Sequence, residues 1–101
     1  MSSTGVHEDG LSSKALDLHR AIVSLMEELE AVDWYNQRVE RCTDNELRGL
    51  LEHNRDEEKE HAAMLVEWLR RNDPGFEKQL GTYLFATGDI LQAEEAAKGK
   101  A

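Results

Sequence analysis

From Ser13 to Cys42 the chain runs without a glycine or a proline, and good helix formers recur throughout. A stretch of that kind has one economical solution, a single helix of about 30 residues and about 45 Å. Within it Leu18, Ala21, Leu25, Glu28, Val32, Tyr35, Val39 and Cys42 follow alternating steps of three and four. This is the seam of a helix that packs lengthwise against others. Only Glu28 is out of character in it. A second helix is expected from about Asp44 to Asn72, opened by Thr43-Asp-Asn-Glu46 as a capping box, in which hydroxyl and carboxylate satisfy backbone donors. Asn72-Asp-Pro-Gly75 then stops it. Its seam reads Leu47, Leu51, Asn54, Glu58, His61, Leu65 and Trp68. Here the polar members are Asn54, Glu58 and His61.

With so short a link between them, the two helices must fold back as an antiparallel hairpin. The fold class is therefore all-α: a two-helix hairpin plus a short C-terminal helix. Phe76 to Phe85 is an apolar-rich stretch that covers ends or neighbours, and Asp89 to Ala97 has helical composition. Residues 1–12 carry little to bury and are expected as a mobile tail, 13–97 as the helical domain and 98–101 as a second tail. No β-alternation, repeat or glycine-rich phosphate loop is present.

A chain of 101 residues is one domain at most and lies below the size at which core burial becomes comfortable, so partners are expected. The formal charge of -9, from 21 acidic and 12 basic residues, argues against a nucleic-acid surface and makes cations the natural small partners. The single cysteine, Cys42, allows no internal disulfide and reads as a small apolar residue in a reducing, cytoplasmic setting. No apolar run approaches the roughly 20 residues that span a bilayer, so no membrane role is expected. His7 and His19 receive no role.

Folding the hairpin about a turn between Cys42 and Asp44 puts Glu28 about 23 Å from that turn, and Glu58 and His61 about 22 and 27 Å from it. Three polar seam residues thus share one height. Glu58 and His61 form a Glu-x-x-His pair on one helical face. A carboxylate in an apolar seam is costly unless it is paired, protonated or metal-bound, and neither seam position offers a basic partner. Two carboxylates with an imidazole suit iron or manganese better than structural zinc. A lone hairpin also has too little core, and a second one would close it into a four-helix bundle. In di-iron bundles one Glu from each of two helices joins a Glu-x-x-His from each of the other two. This sequence carries half of that set, so a two-fold dimer would complete it, with four carboxylates balancing two divalent ions.

At these residues the sequence resembles the encapsulated ferritins, two-helix relatives of ferritin. The resemblance is carried by the stretches Arg20 to Tyr35, His53 to Met64, Glu67 to Arg71 and Thr82 to Phe85, and it extends from about Ser13 to Ala97. It implies a ferroxidase that oxidises Fe(II) with oxygen at a di-iron centre between two subunits, held by Glu28, Glu58 and His61. It also implies that Tyr35 lies beside that centre, that Glu27, Glu30 and Trp34 line a path for incoming metal, and that His53, Glu57 and Glu60 form a peripheral metal site. By the same resemblance five dimers form a ring-shaped decamer packaged inside an encapsulin shell. Family members usually end in a short Leu- and Gly/Ser-containing address for that shell, whereas this sequence ends in Lys98-Gly-Lys-Ala101.

The residues alone leave other readings open. On its own, Tyr35 can be a packing residue, as can Trp34 and Trp68, and Glu27 with Glu30, or His53 with Glu57 and Glu60, can be plain solvated faces. A manganese or peroxide-handling relative of rubrerythrin would use the same bundle. A non-enzymatic helical module would use the polar seam residues to fix register. A cation buffer would bind weakly at many acidic sites.

Overall fold

The computed structural model describes residues 5–99; Met1 to Thr4 of the first expected tail, and Lys100 and Ala101 of the second, lie outside them. Four helices follow in order: α1 Ser13–Arg41, α2 Asn45–Asn72, α3 Pro74–Tyr83 and α4 Ile90–Ala97. The described residues contain no strand, and none of their helices is long and apolar enough to cross a membrane. The fold is all-α, as the periodicity requires. Two compact units divide the chain, Met1–Trp68 and Leu69–Ala101.

In the first unit Ser12 opens α1 by accepting a hydrogen bond from the Ala15 amide, so the last residue of the expected tail is in fact a helix cap. At the other end Cys42 donates its amide to the Arg38 carbonyl and leaves the helix with extended backbone. Three polar links then join α1 to the start and middle of α2. Arg48 Nε donates to the Cys42 carbonyl at 3.0 Å, with Nη2 of the same side chain on the same oxygen. Arg55 Nη1 donates to Asn36 Oδ1 at 3.4 Å, and His61 Nδ1 meets Glu28 Oε2 at 3.2 Å. Their sequence separations, 6, 19 and 33 residues, nest one within the next. That nesting is the register of an antiparallel hairpin.

The cap of α2 corrects the sequence reading. Asp44, not Thr43, is the capping residue: its Oδ2 accepts from the Leu47 amide at 2.8 Å, and its carbonyl accepts from the Arg48 amide. Helix α2 starts one residue later than the Thr-based box requires, and a carboxylate at that end gains from the helix dipole as well as from the hydrogen bond. Glu46 consequently sits in the first turn, where its charge is also favourable.

All eight seam positions of α1 are buried or half-buried. On α2 the outer members Leu47 and Trp68 are exposed, whereas Ala62 is buried one position away from His61. The inner members Leu51, Asn54, Glu58, His61 and Leu65 are half-buried as expected, and Arg55 and Ala62 widen the covered stripe on one side. The buried side chains among the described residues of this unit are two alanines, Ala21 and Ala62, and the fully buried Leu69 follows on α2 at the start of the second unit. Ile22, Met26, Leu29, Leu50 and Met64 remain exposed.

In the second unit Asp73 both ends α2 and begins α3. Its carboxylate accepts from the Gly75 and Phe76 amides, and Pro74 takes the first helical position, where its missing N–H costs nothing. The sequence that stops one helix thus starts the next, and the apolar stretch expected from Phe76 forms the body of a ten-residue helix. Helix α3 ends with Leu84 as its cap, followed by Phe85 at φ 61, a left-handed position that usually holds glycine. Asp89 caps α4 through the Leu91 amide.

Candidate metal centre

Helix α1 supplies one carboxylate to the site and α2 supplies a carboxylate and an imidazole three residues apart. Glu28, Glu58 and His61 each offer a ligand atom, and these atoms lie within 4.8 Å of one another. His61 Nδ1 is 2.9 Å from Glu58 Oε1 and 3.2 Å from Glu28 Oε2. One ring nitrogen therefore faces two carboxylates, with at most one N–H to offer them. Among the described residues no lysine or arginine pairs with either acid. Arg55, one turn before Glu58, turns instead to Asn36 and Asp56.

That shortage of positive charge is written into His61. Burial acts to lower its pKa, but the hydrogen bond with Glu58, the charge of Glu28, the hydrogen bond with Glu28 and the charge of Glu58 outweigh it. The net effect is a pKa raised above the ordinary imidazole value. The side chains of Glu28 and Glu58 are 23 % and 24 % exposed, and His61 is 43 % exposed. The donors are thus half-sunk in the hairpin and open on one side. Two carboxylates and one imidazole with excess negative charge fit a divalent first-row metal.

The other expected site residues behave differently. Tyr35 lies half-buried on the α1 seam, about two turns from Glu28. Glu27, Glu30 and Trp34 are exposed on α1, and His53, Glu57 and Glu60 are exposed on α2. Among the described residues the only convergence of three metal-ligating side chains is Glu28, Glu58 and His61. His53, Glu57 and Glu60 do not gather into a second.

Arg38 is a residue that the sequence reading passed over. Its guanidinium carbon lies 5.8 Å from the Trp34 ring centroid and 5.5 Å from that of Tyr35. The signal was available in the i+3 and i+4 spacing of an arginine after two aromatic residues, because helical side chains lean back toward the N-terminus.

A model of the EncFtn-like family matches residues 4–87 of the chain. An encapsulated ferritin-like protein of Rhodospirillum rubrum is 59% identical over 97 residues, spanning 94% of this chain and 69% of that protein. An encapsulin nanocompartment cargo protein of Myxococcus xanthus is 34% identical over 59 residues, spanning 57% of this chain and 45% of that protein. The crystal structure of a protein from Nitrosomonas europaea superposes with a TM-score of 0.82 at 61% identity, covering 85% of this chain and 97% of the other.

Proposed function

This chain belongs to the EncFtn-like family of encapsulated ferritins, and from that premise we propose that it is a ferroxidase. Its substrates are Fe(II) and oxygen, and its centre is a pair of iron sites shared between two copies of the chain. The observation that carries the reading is the single imidazole nitrogen of His61 set against the carboxylates of Glu28 and Glu58, with no Arg or Lys on either acid. Such a cluster is stabilised by a cation.

One hairpin supplies three donors on an open face, and a metal pair needs more. A two-fold copy presenting the same face would bring four carboxylates and two imidazoles together, which neutralises two divalent ions. The exposed apolar side chains of α1 and α2 fit the same conclusion, since a unit whose buried side chains among the described residues are two alanines needs a partner's surface to complete its core.

When bound there, the two iron ions each give one electron to oxygen. Everything else is done by the chain. His61 gives up its shared proton and binds as the neutral ring, while Glu28 and Glu58 supply hard oxygen donors that suit both oxidation states. Glu27 and Glu30, exposed on the α1 helix, attract incoming Fe(II), with Trp34 beside them. His53, Glu57 and Glu60 act as a weaker cation-attracting face, and Tyr35 guides substrate near the centre. The dimers assemble into a ring-shaped decamer, and an encapsulin shell protein packages it, a partner in keeping with the encapsulated and cargo names of the relatives. Oxidised iron then accumulates outside the ring and inside the shell.

The test is to add Fe(II) anaerobically to metal-free protein, admit air, and follow ferric absorbance together with solution mass. Fast oxidation at about one iron per chain in an even-numbered oligomer, abolished in His61→Ala, is the expected result. Oxidation at the buffer rate in both proteins would refute it. Oxidation supported by peroxide but not by oxygen, or a preference for manganese, would move the chain to a different di-metal activity.

A further inference from the structure

We propose that Arg38 protects Trp34 and Tyr35 from one-electron oxidation. Its guanidinium lies over both rings, 5.8 and 5.5 Å from their centroids, within the range at which a cation is attracted to the electron-rich face. It makes no ion pair among the described residues, so its charge is not cancelled by one of the many acids on this chain. The backbone brings this about. Arg38 follows the two aromatics by four and three residues, so its side chain leans back across the turn that carries them.

The chemistry follows from the sign of the ring's charge distribution. A neutral ring draws the guanidinium in. A ring that has lost an electron carries a positive charge and repels it. The attraction must therefore be surrendered before Tyr35 or Trp34 can be oxidised, and both oxidations become harder. In the step that Arg38 opposes, one electron passes from the ring to an oxidant and a proton passes to water, from the Tyr35 hydroxyl or the Trp34 indole N–H. Tyr35 lies on the same seam as Glu28 and about two turns from it. The purpose of the protection rests on the ferroxidase reading, in which partly reduced oxygen formed at the centre is the oxidant. The protection itself does not.

The metal-free full-length chain is illuminated with a ruthenium polypyridyl photo-oxidant and persulfate, and oxidation is mapped by peptide mass spectrometry. With two tyrosines and two tryptophans in the chain, Tyr83 and Trp68 serve as internal references for Tyr35 and Trp34. In Arg38→Gln the Tyr35/Tyr83 and Trp34/Trp68 ratios should rise about fivefold, the factor equivalent to about 1 kcal/mol of ion–ring attraction. Arg38→Lys, which keeps a cation, should stay near the wild type. Unchanged ratios in Arg38→Gln would overturn the proposal, and so would an equal rise in both variants, which would mean that Arg38 only shields the rings by its bulk. A parallel run with Fe(II) and air separates the two readings: wild type that fails to oxidise iron refutes the ferroxidase, while the photo-oxidation ratios still decide the role of Arg38.

Discussion

Metal binding at Glu28, Glu58 and His61 must displace a proton from His61, and this fixes the direction of two pH dependences. In the metal-free hairpin the carboxylates hold the imidazole pKa above its ordinary value, against the opposing effect of burial. A pKa raised on folding means that the pairing stabilises the metal-free fold fully below the unfolded value of about 6.5, and that this contribution is lost as pH rises through the folded value. Metal affinity runs the opposite way. The metal requires the neutral ring, so below the folded pKa each pH unit should cost about tenfold in affinity per imidazole, and above it the dependence should flatten. One His61 per chain sets the limit at one proton per metal from this group. Calorimetric titration with a divalent metal in buffers of different ionisation enthalpy, between about pH 5.5 and 8, reads the proton release directly. Release should approach about one proton per metal at the acid end and fall toward zero at the alkaline end, with His61→Gln losing that component. Equal release from wild type and His61→Gln, or an affinity flat across the range, would refute the assignment of His61 as a ligand.

Four further outcomes are expected. Glu28→Gln removes the only α1 carboxylate of the cluster and should lower metal affinity and iron oxidation by at least about a hundredfold with helix content unchanged, checked by titration, stopped-flow absorbance and circular dichroism. The double variant Glu28→Gln, Glu58→Gln should associate more tightly than metal-free wild type, by about 1–3 kcal/mol of relieved carboxylate repulsion, and its assembly should ignore added metal in sedimentation equilibrium. Asp44→Ala removes the α2 cap and should cost about 1 kcal/mol, seen as a Tm lower by roughly 4–8 °C. Phe85→Gly relieves a left-handed residue whose side chain is 100% exposed and should stabilise the fold by about 0.5–1 kcal/mol in chemical denaturation.

The parts of this structure legible in the sequence are those fixed by period and by helix chemistry. An unbroken run of helix formers gave α1 to within one residue, and Asn72-Asp-Pro-Gly75 gave the end of α2. Equal rise along two facing helices was enough to bring Glu28 level with Glu58 and His61. What the sequence did not settle is competition between near-equivalent neighbours. Thr43 and Asp44 are both good caps, and which is used depends on how the link from Cys42 closes, including the Arg48 side chain on the Cys42 carbonyl. Leu47 and Trp68 sit at expected seam positions at the two ends of the stripe but are exposed, and the period alone did not single out Ala62, the buried position beside His61. Arg38 was missed for another reason: the heptad pattern sorts residues by face, and a cation that stacks along its own helix has no signature in that pattern.

The polarity of the seam is what makes this hairpin an incomplete object. An apolar residue at Glu28, Glu58 and His61 would have allowed two helices to pack along their whole length with no need of metal. Instead the middle of the seam holds two acids and a base that has one N–H for both of them, and the donors stay partly open to solvent. One shared proton on His61 offsets the cost of three polar groups in the packing surface in part, and a metal cation among them offsets it further. A cation at that place also meets whatever faces the open side. If that is a second copy of the same cluster, the charge that keeps two metal-free hairpins apart becomes the charge that binds two ions between them. Binding substrate and completing the core are then one event, and the marginal burial of the single chain is a requirement of the site.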